Sequence, residues 1–154
     1  MAFLLREYER GDALKMEPRT AHLDRPECKD SEGLHAFLES LSGNVKIFVV
    51  DDPERGIMAI VPVYLLWPGV AEISLYSSIL FEKHVRDALR IGFMLLSYIE
   101  ERFKLHRIQA TAKVGDVQAF NYEKRIGFQL EGYLRKYNPW GDDYLLLSRI
   151  SEVK

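Results

Sequence analysis

A single cysteine, Cys28, stands in a chain of 154 residues. It has no intrachain disulfide partner, so a reducing compartment is expected, and the cytoplasm fits best. Neither a CxxC nor an HExxH spacing occurs, and the four histidines, His22, His35, His84 and His106, fall at no metal-ligand interval. Metal chemistry is therefore not expected. Excess positive charge is missing too: the formal net charge is −2, which gives nucleic acid no electrostatic support. No apolar run reaches the length that spans a bilayer. The opening MAFLLREYERGD lacks a basic flank before its short apolar run and a small-residue cleavage site after it, and does not read as a signal peptide. What remains is an ordinary globular composition, 47% hydrophobic and 29% charged. The length suits a single domain over 1–154, burying roughly 68–70% of its unfolded surface unaided.

Periodicity supplies the elements. "AFLLREYE" predicts an edge strand, followed by Gly11 and by Asp12 as the cap of a short helix that Pro18 ends. Residues 18–33, with two prolines and little apolar periodicity, read as a mobile loop. Leu34, Phe37, Leu38 and Leu41 then recur at helical spacing, between a cap at Asp30 or Ser31 and a stop at Gly43. "VKIFVVDD" (45–52) and "GIMAIVPVYLLW" (56–67) flank Pro53-Glu54-Arg55 as an antiparallel hairpin, with Pro62 predicting a bulge or an edge. "VAEISLYSSI" (70–79) completes a meander. Val85, Ala88, Leu89, Gly92, Leu96, Ile99 and Phe103 mark a long helix. "RIQATAKV" (107–114) follows it as a strand, in a parallel crossover. A second helix, 116–127, is capped by Asp116 and stopped by Gly127. A final hairpin, 128–138 with 143–151, turns at Pro139-Trp140-Gly141-Asp142.

Over residues 71–150 the order and the residues resemble a known family. "AEISLY", the long helix ending in "KLHRIQA", "YEKRIGFQLEGYLRKY" and "DDYLLLSRI" are similar to the GNAT (GCN5-related N-acetyltransferase) superfamily, "EKRIGFQLEG" most specifically. The resemblance implies an α/β domain with a mixed, mostly antiparallel sheet of about seven strands, a central parallel splay and flanking helices. It implies acetyl-CoA as cofactor and acetyl transfer to a primary amine by direct attack in a ternary complex, the acceptor being a protein N-terminus, a lysine or a small amine. Leu75, Tyr76 and Ser77 would offer backbone to the thioester, with Ser77 and Ser78 at a bulged, exposed strand end. Lys83, His84, Val85, Arg86, Asp87 and Ala88 fall on the family's Q/R-x-x-G-x-G/A pyrophosphate loop.

That loop departs from the pattern. No glycine lies between Phe81 and Arg90: Arg86 replaces the middle glycine, and Asp87 beside it would repel a pyrophosphate. A divergent, phage-associated branch with glycine-poor loops is loosely similar. The resemblance further implies Glu72 as base, Tyr122 as acid, Asn121 on the pantetheine arm and Asp116 on cofactor or backbone. Counting back from Gly127 places Glu123, not Tyr122, where relatives carry the tyrosine. Each residue also has a plainer reading: a solvated first turn for Lys83, His84 and Arg86, a solvent-facing Glu72, core packing for Tyr122 and helix capping for Asp116. Glu131 is a second candidate base, or else pairs with Arg135 or faces water. Tyr133, Tyr137, Trp140 and Tyr144 gather near the last hairpin, as core or as a surface for an acceptor or a homodimer partner. The rival to an enzyme is a non-catalytic GNAT-like binding or assembly module with a degenerate loop.

Overall fold

In the computed structural model, which describes residues 3–19 and 30–151, the chain alternates between the two periodicities read above. Strand β1 (Leu4–Glu7) leads into a 3-10 turn (Asp12–Lys15) and helix α1 (Ser31–Ser40), followed by β2 (Val45–Asp52), β3 (Gly56–Trp67), β4 (Val70–Ile73) and β5 (Tyr76–Ser77). Helices α2 (Leu80–Lys83) and α3 (Val85–Phe103), strand β6 (Arg107–Lys113), helix α4 (Val117–Arg125) and the β7 (Gln129–Leu134) and β8 (Tyr144–Ile150) hairpin complete it. His22 and Cys28 lie outside the described residues, as does most of the loop expected at 18–33.

The sheet has eight strands in the order β1-β2-β3-β4-β6-β8-β7, with β5 also pairing β3. All pairings with a resolved register are antiparallel except β4 with β6, where Val70 faces Arg107 and Glu72 faces Gln109. The eighth strand arises because the run at 70–79 is two strands, broken at Ser74 and Leu75. The irregularity expected at Pro62 is elsewhere: Pro62 pairs in register with Ile47, and the bulge falls between Val50 and Asp51. The β5 pairing covers only Ala59 and Ile60, so this proline lies outside it. Asp12 is not the helix cap either. Gly11 holds that position, and the buried Asp12 carboxylate accepts from Arg6 (2.8 and 3.0 Å) and from the Glu9 N–H (2.7 Å).

Contacts divide the chain into two compact units, residues 1–64 with 75–91 and residues 65–74 with 92–154. In the first, Ala13, Met16, Leu34, Leu38, Val49, Ile57, Ile60 and Tyr76 form a buried cluster, with Phe37 edge-on to Tyr76 at 6.3 Å. Asp30 caps α1, accepting from the Gly33 N–H at 2.7 Å. In the second, β6 alternates strictly. Ile108, Ala110 and Ala112 are buried, while Arg107, Gln109, Thr111 and Lys113 occupy the other, half-buried face. The Arg149–Glu100 ion pair (3.1 Å) ties β8 to α3.

Candidate active site

In the first unit, the predicted cofactor residues run from Leu75 to Ala88. Leu75 lies in the break between β4 and β5, outside the β5 ladder. The exposed strand end expected at Ser77 and Ser78 is absent. Both serines are buried, the Ser78 N–H donates to Met58 O (2.9 Å), and Ser77 O accepts from the Arg19 N–H (2.9 Å). The segment before the undescribed residues lies across them, Pro18 bridging Ser78 and Arg19 ion-pairing with Glu82 at 3.0 Å.

The chain then bends at His84, with φ −132° and ψ 65°, before α3 starts. A helix leaves its first N–H groups without intrahelical acceptors. Here those belong to Val85, Arg86 and Asp87, since the Ala88 N–H already donates to His84 O at 2.9 Å. Lys83, Val85 and Arg86 are exposed, His84 is half-buried, and Ala88 is buried with its small side chain inward. Asp87 does not stand there as an uncompensated charge. Arg55 donates to it at 2.8 Å, and that bond holds the Asp87 carboxyl below its ordinary range. Arg55 left no signal for sequence reading, because it lies 32 residues from its partner.

In the second unit, Glu72 belongs to β4 and is half-buried rather than solvent-facing. Its Oε1 accepts from Gln109 Nε2 at 2.8 Å, and Gln109 Oε1 in turn accepts from Arg107 Nε at 3.2 Å. The two charged neighbours orient the amide: its acceptor end meets the guanidinium and its donor end the carboxylate. Arg107 also grips Glu131 through both terminal nitrogens, at 2.7 and 3.0 Å. Glu131 is the extra residue of a bulge in β7 and accepts from Ser148 as well. Arg107 first, then Ser148, draws the Glu131 carboxyl down to about 2. Glu131 is thus neither paired with Arg135 nor free in water. Gln109 was missed, although the parallel register with "VAEI" and the alternation of "RIQATAK" would have placed it opposite Glu72.

Tyr122 points its hydroxyl at α3: a Cβ added to Gly92 would lie 2.5 Å from it. Burial, and then the charge of Glu123, push the phenol above its ordinary value, so it is protonated at neutral pH. Asp116 caps α4, accepting from the Ala119 N–H at 3.1 Å, and Asn121 is exposed on the same helix. At the last hairpin Tyr144 is buried with Tyr137 tilted against it (5.1 Å between ring centres), whereas Tyr133 and Trp140 each expose 55% of their surface. Burial and then the charge of Glu72 raise Tyr137. Among the described residues no cluster of three His, Cys, Asp or Glu side chains suits a metal, and no helix is long and apolar enough to cross a membrane.

The chain combines an eight-stranded mixed sheet holding one parallel pair with a long helix between the two parallel strands, and solved structures superpose on it. A chimeric spermidine N-acetyltransferase, SpeG, from Vibrio cholerae and hSSAT superposes with a TM-score of 0.76 at 18% identity, covering 97% of this chain and 96% of its own. This is the GNAT fold. A GNAT-family acetyltransferase from Bacillus anthracis matches at 0.74 and 17% identity, over 97% of this chain and 95% of that one. The ribosomal-protein-S5-alanine acetyltransferase from Vibrio fischeri matches at 0.71 and 18%, over 100% and 96%. No protein-family model and no curated protein sequence matches the chain. The GNAT fold is therefore carried by arrangement rather than by residue identity.

Proposed function

We propose that the whole chain works as one acetyl-CoA-dependent N-acetyltransferase domain, moving an acetyl group to a primary amine of a protein N-terminus, a lysine or a small molecule. The observation that carries this reading is the GNAT fold shared, nearly end to end, with three N-acetyltransferases or GNAT-family acetyltransferases. Acetyl-CoA would supply the activated acetyl thioester. The donor set at the start of α3 suits its pyrophosphate: N–H groups at the positive end of a helix dipole, exposed Arg86 and Lys83, and an Asp87 whose charge Arg55 offsets. Backbone around the strand break at Leu75 is the proposed support for the thioester. Arg86 in place of glycine exchanges close backbone approach for a bidentate donor.

For the proton transfers, Glu72 is the proposed base, directly or through water, with Gln109 holding its carboxylate. Tyr122 is the proposed acid for the departing thiolate. Burial keeps its proton on and also makes it a weaker acid than an exposed phenol, so the role depends on placing the hydroxyl against the departing thiolate. The amine attacks directly, so no covalent enzyme intermediate is needed.

Calorimetric titration with acetyl-CoA tests the reading. Micromolar binding, about −8 kcal/mol, weakened several-fold by Arg86→Ala, is expected. Undetectable binding at millimolar cofactor would leave a non-catalytic module on the GNAT fold.

A further inference from the structure

The turn between β2 and β3 anchors the guanidinium that stands against Asp87. Asp52 is buried, and its Oδ1 accepts the N–H groups of Glu54 and Arg55 at 2.9 and 3.3 Å, which ties the turn to it on either side of the Arg55 side chain. The Arg55 guanidinium is then committed on two sides. Its Nε donates to Asp52 Oδ2 at 2.7 Å and its Nη2 to Asp87 Oδ2 at 2.8 Å. Arg90 adds weaker positive charge around Asp87.

A carboxylate in the first turn of a helix is favoured by the helix dipole, but it competes with any anion bound at the same N–H groups. Asp87 carries that conflict in its position. The guanidinium eases it: bonded to the buried Asp52 on one side, it sets its charge against Asp87 on the other. Arg55 spends its Nε on Asp52 and its Nη2 on Asp87, and the effect that follows is on the potential at the start of α3.

We propose that Arg55 is a positioning residue for the cofactor: held by Asp52, it offsets part of the Asp87 charge and keeps the α3 N-terminus receptive to the pyrophosphate of acetyl-CoA. The inference rests on the acetyl-CoA reading above and says why an aspartate is tolerated in a loop where it would otherwise repel the ligand.

A double-mutant cycle, titrated calorimetrically with acetyl-CoA at low and high salt, separates this role from that of a simple fold staple. Arg55→Met is expected to weaken binding about tenfold at low salt and distinctly less at high salt, because screening weakens repulsion between exposed charges. Asp87→Asn alone should stay within about twofold of wild type, and Arg55→Met with Asp87→Asn should return to within about threefold. Thermal melting of each variant records whether it is folded. If Arg55→Met fails to fold, Arg55→Gln, which removes the charge but keeps hydrogen-bond donors, replaces it in the cycle. A loss that Asp87→Asn does not restore, or that salt does not reduce, overturns the proposal while leaving cofactor binding intact. Wild-type protein that binds no acetyl-CoA overturns the functional reading and this inference together.

Discussion

The start of α3 and the polar face of β6 handle charge in opposite ways. At the start of α3, the groups offered to a ligand are backbone N–H groups with exposed basic side chains, and the one acidic residue, Asp87, is bonded to an arginine. On β6, a neutral amide stands between the two carboxylates: Arg107 is taken up by Glu131, and Gln109 donates to Glu72. The first region presents donors and basic groups, and the second holds one carboxylate through an amide rather than an ion pair. The second arrangement suits the role proposed for Glu72, since a guanidinium bonded directly to it would stabilise the ionised form and weaken it as a proton acceptor.

The contrast can be broken from either side. The largest effect is expected from Glu72→Gln, which should lower kcat by about 10²–10⁴-fold while acetyl-CoA affinity stays put; steady-state kinetics beside calorimetry would show whether the two properties separate. Gly92→Ala should come next. Its new Cβ would meet the Tyr122 hydroxyl and Ile126, for a cost of about 1–3 kcal/mol by overpacking. Denaturant unfolding measures it, and Tyr122→Phe in the same chain should recover part of the loss.

The smallest effect concerns Glu131. Its carboxyl is drawn below the ordinary value, to about 2, so its pairing contributes fully above the unfolded carboxyl's range and fades as the pH falls from there towards 2. The side chain is 38% exposed, and solvent screening limits the contribution to about 1 kcal/mol or less. The melting-temperature gap between wild type and Glu131→Gln should therefore be small at neutral pH and close in acid.

Much of the fold was legible in the sequence because its signals are local. β2 and β3 end at the residues predicted from β-branched runs around Pro53-Glu54-Arg55. Asp30 and Asp116 cap their helices as expected. Three features were not legible. The break at Ser74 and Leu75 carries no glycine or proline to mark it. Asp12 has the residue type of a cap, but tertiary pairing with Arg6 outweighed local capping. Arg135, close to Glu131 in sequence, looked the natural partner, yet the bulge and strand order bring Arg107 to it from 24 residues away.

The candidate site follows the same division. The helix start and Glu72 could be found from position in the chain, whereas Arg55 and Gln109 act through pairings that exist only once the strands are in register. Ser77 and Ser78 show the reverse error. Two small polar residues suggested an exposed strand end, but their backbone is paired and they are buried.

The most direct test of acetyl transfer is the release of free CoA thiol from acetyl-CoA by the wild-type protein, followed with and without a panel of primary amines that includes peptide N-termini, lysine peptides and small polyamines. Amine-dependent thiol release accompanied by an acetylated product, both abolished in Glu72→Gln, is the predicted result. Tight acetyl-CoA binding with no amine-dependent release across the panel would contradict it.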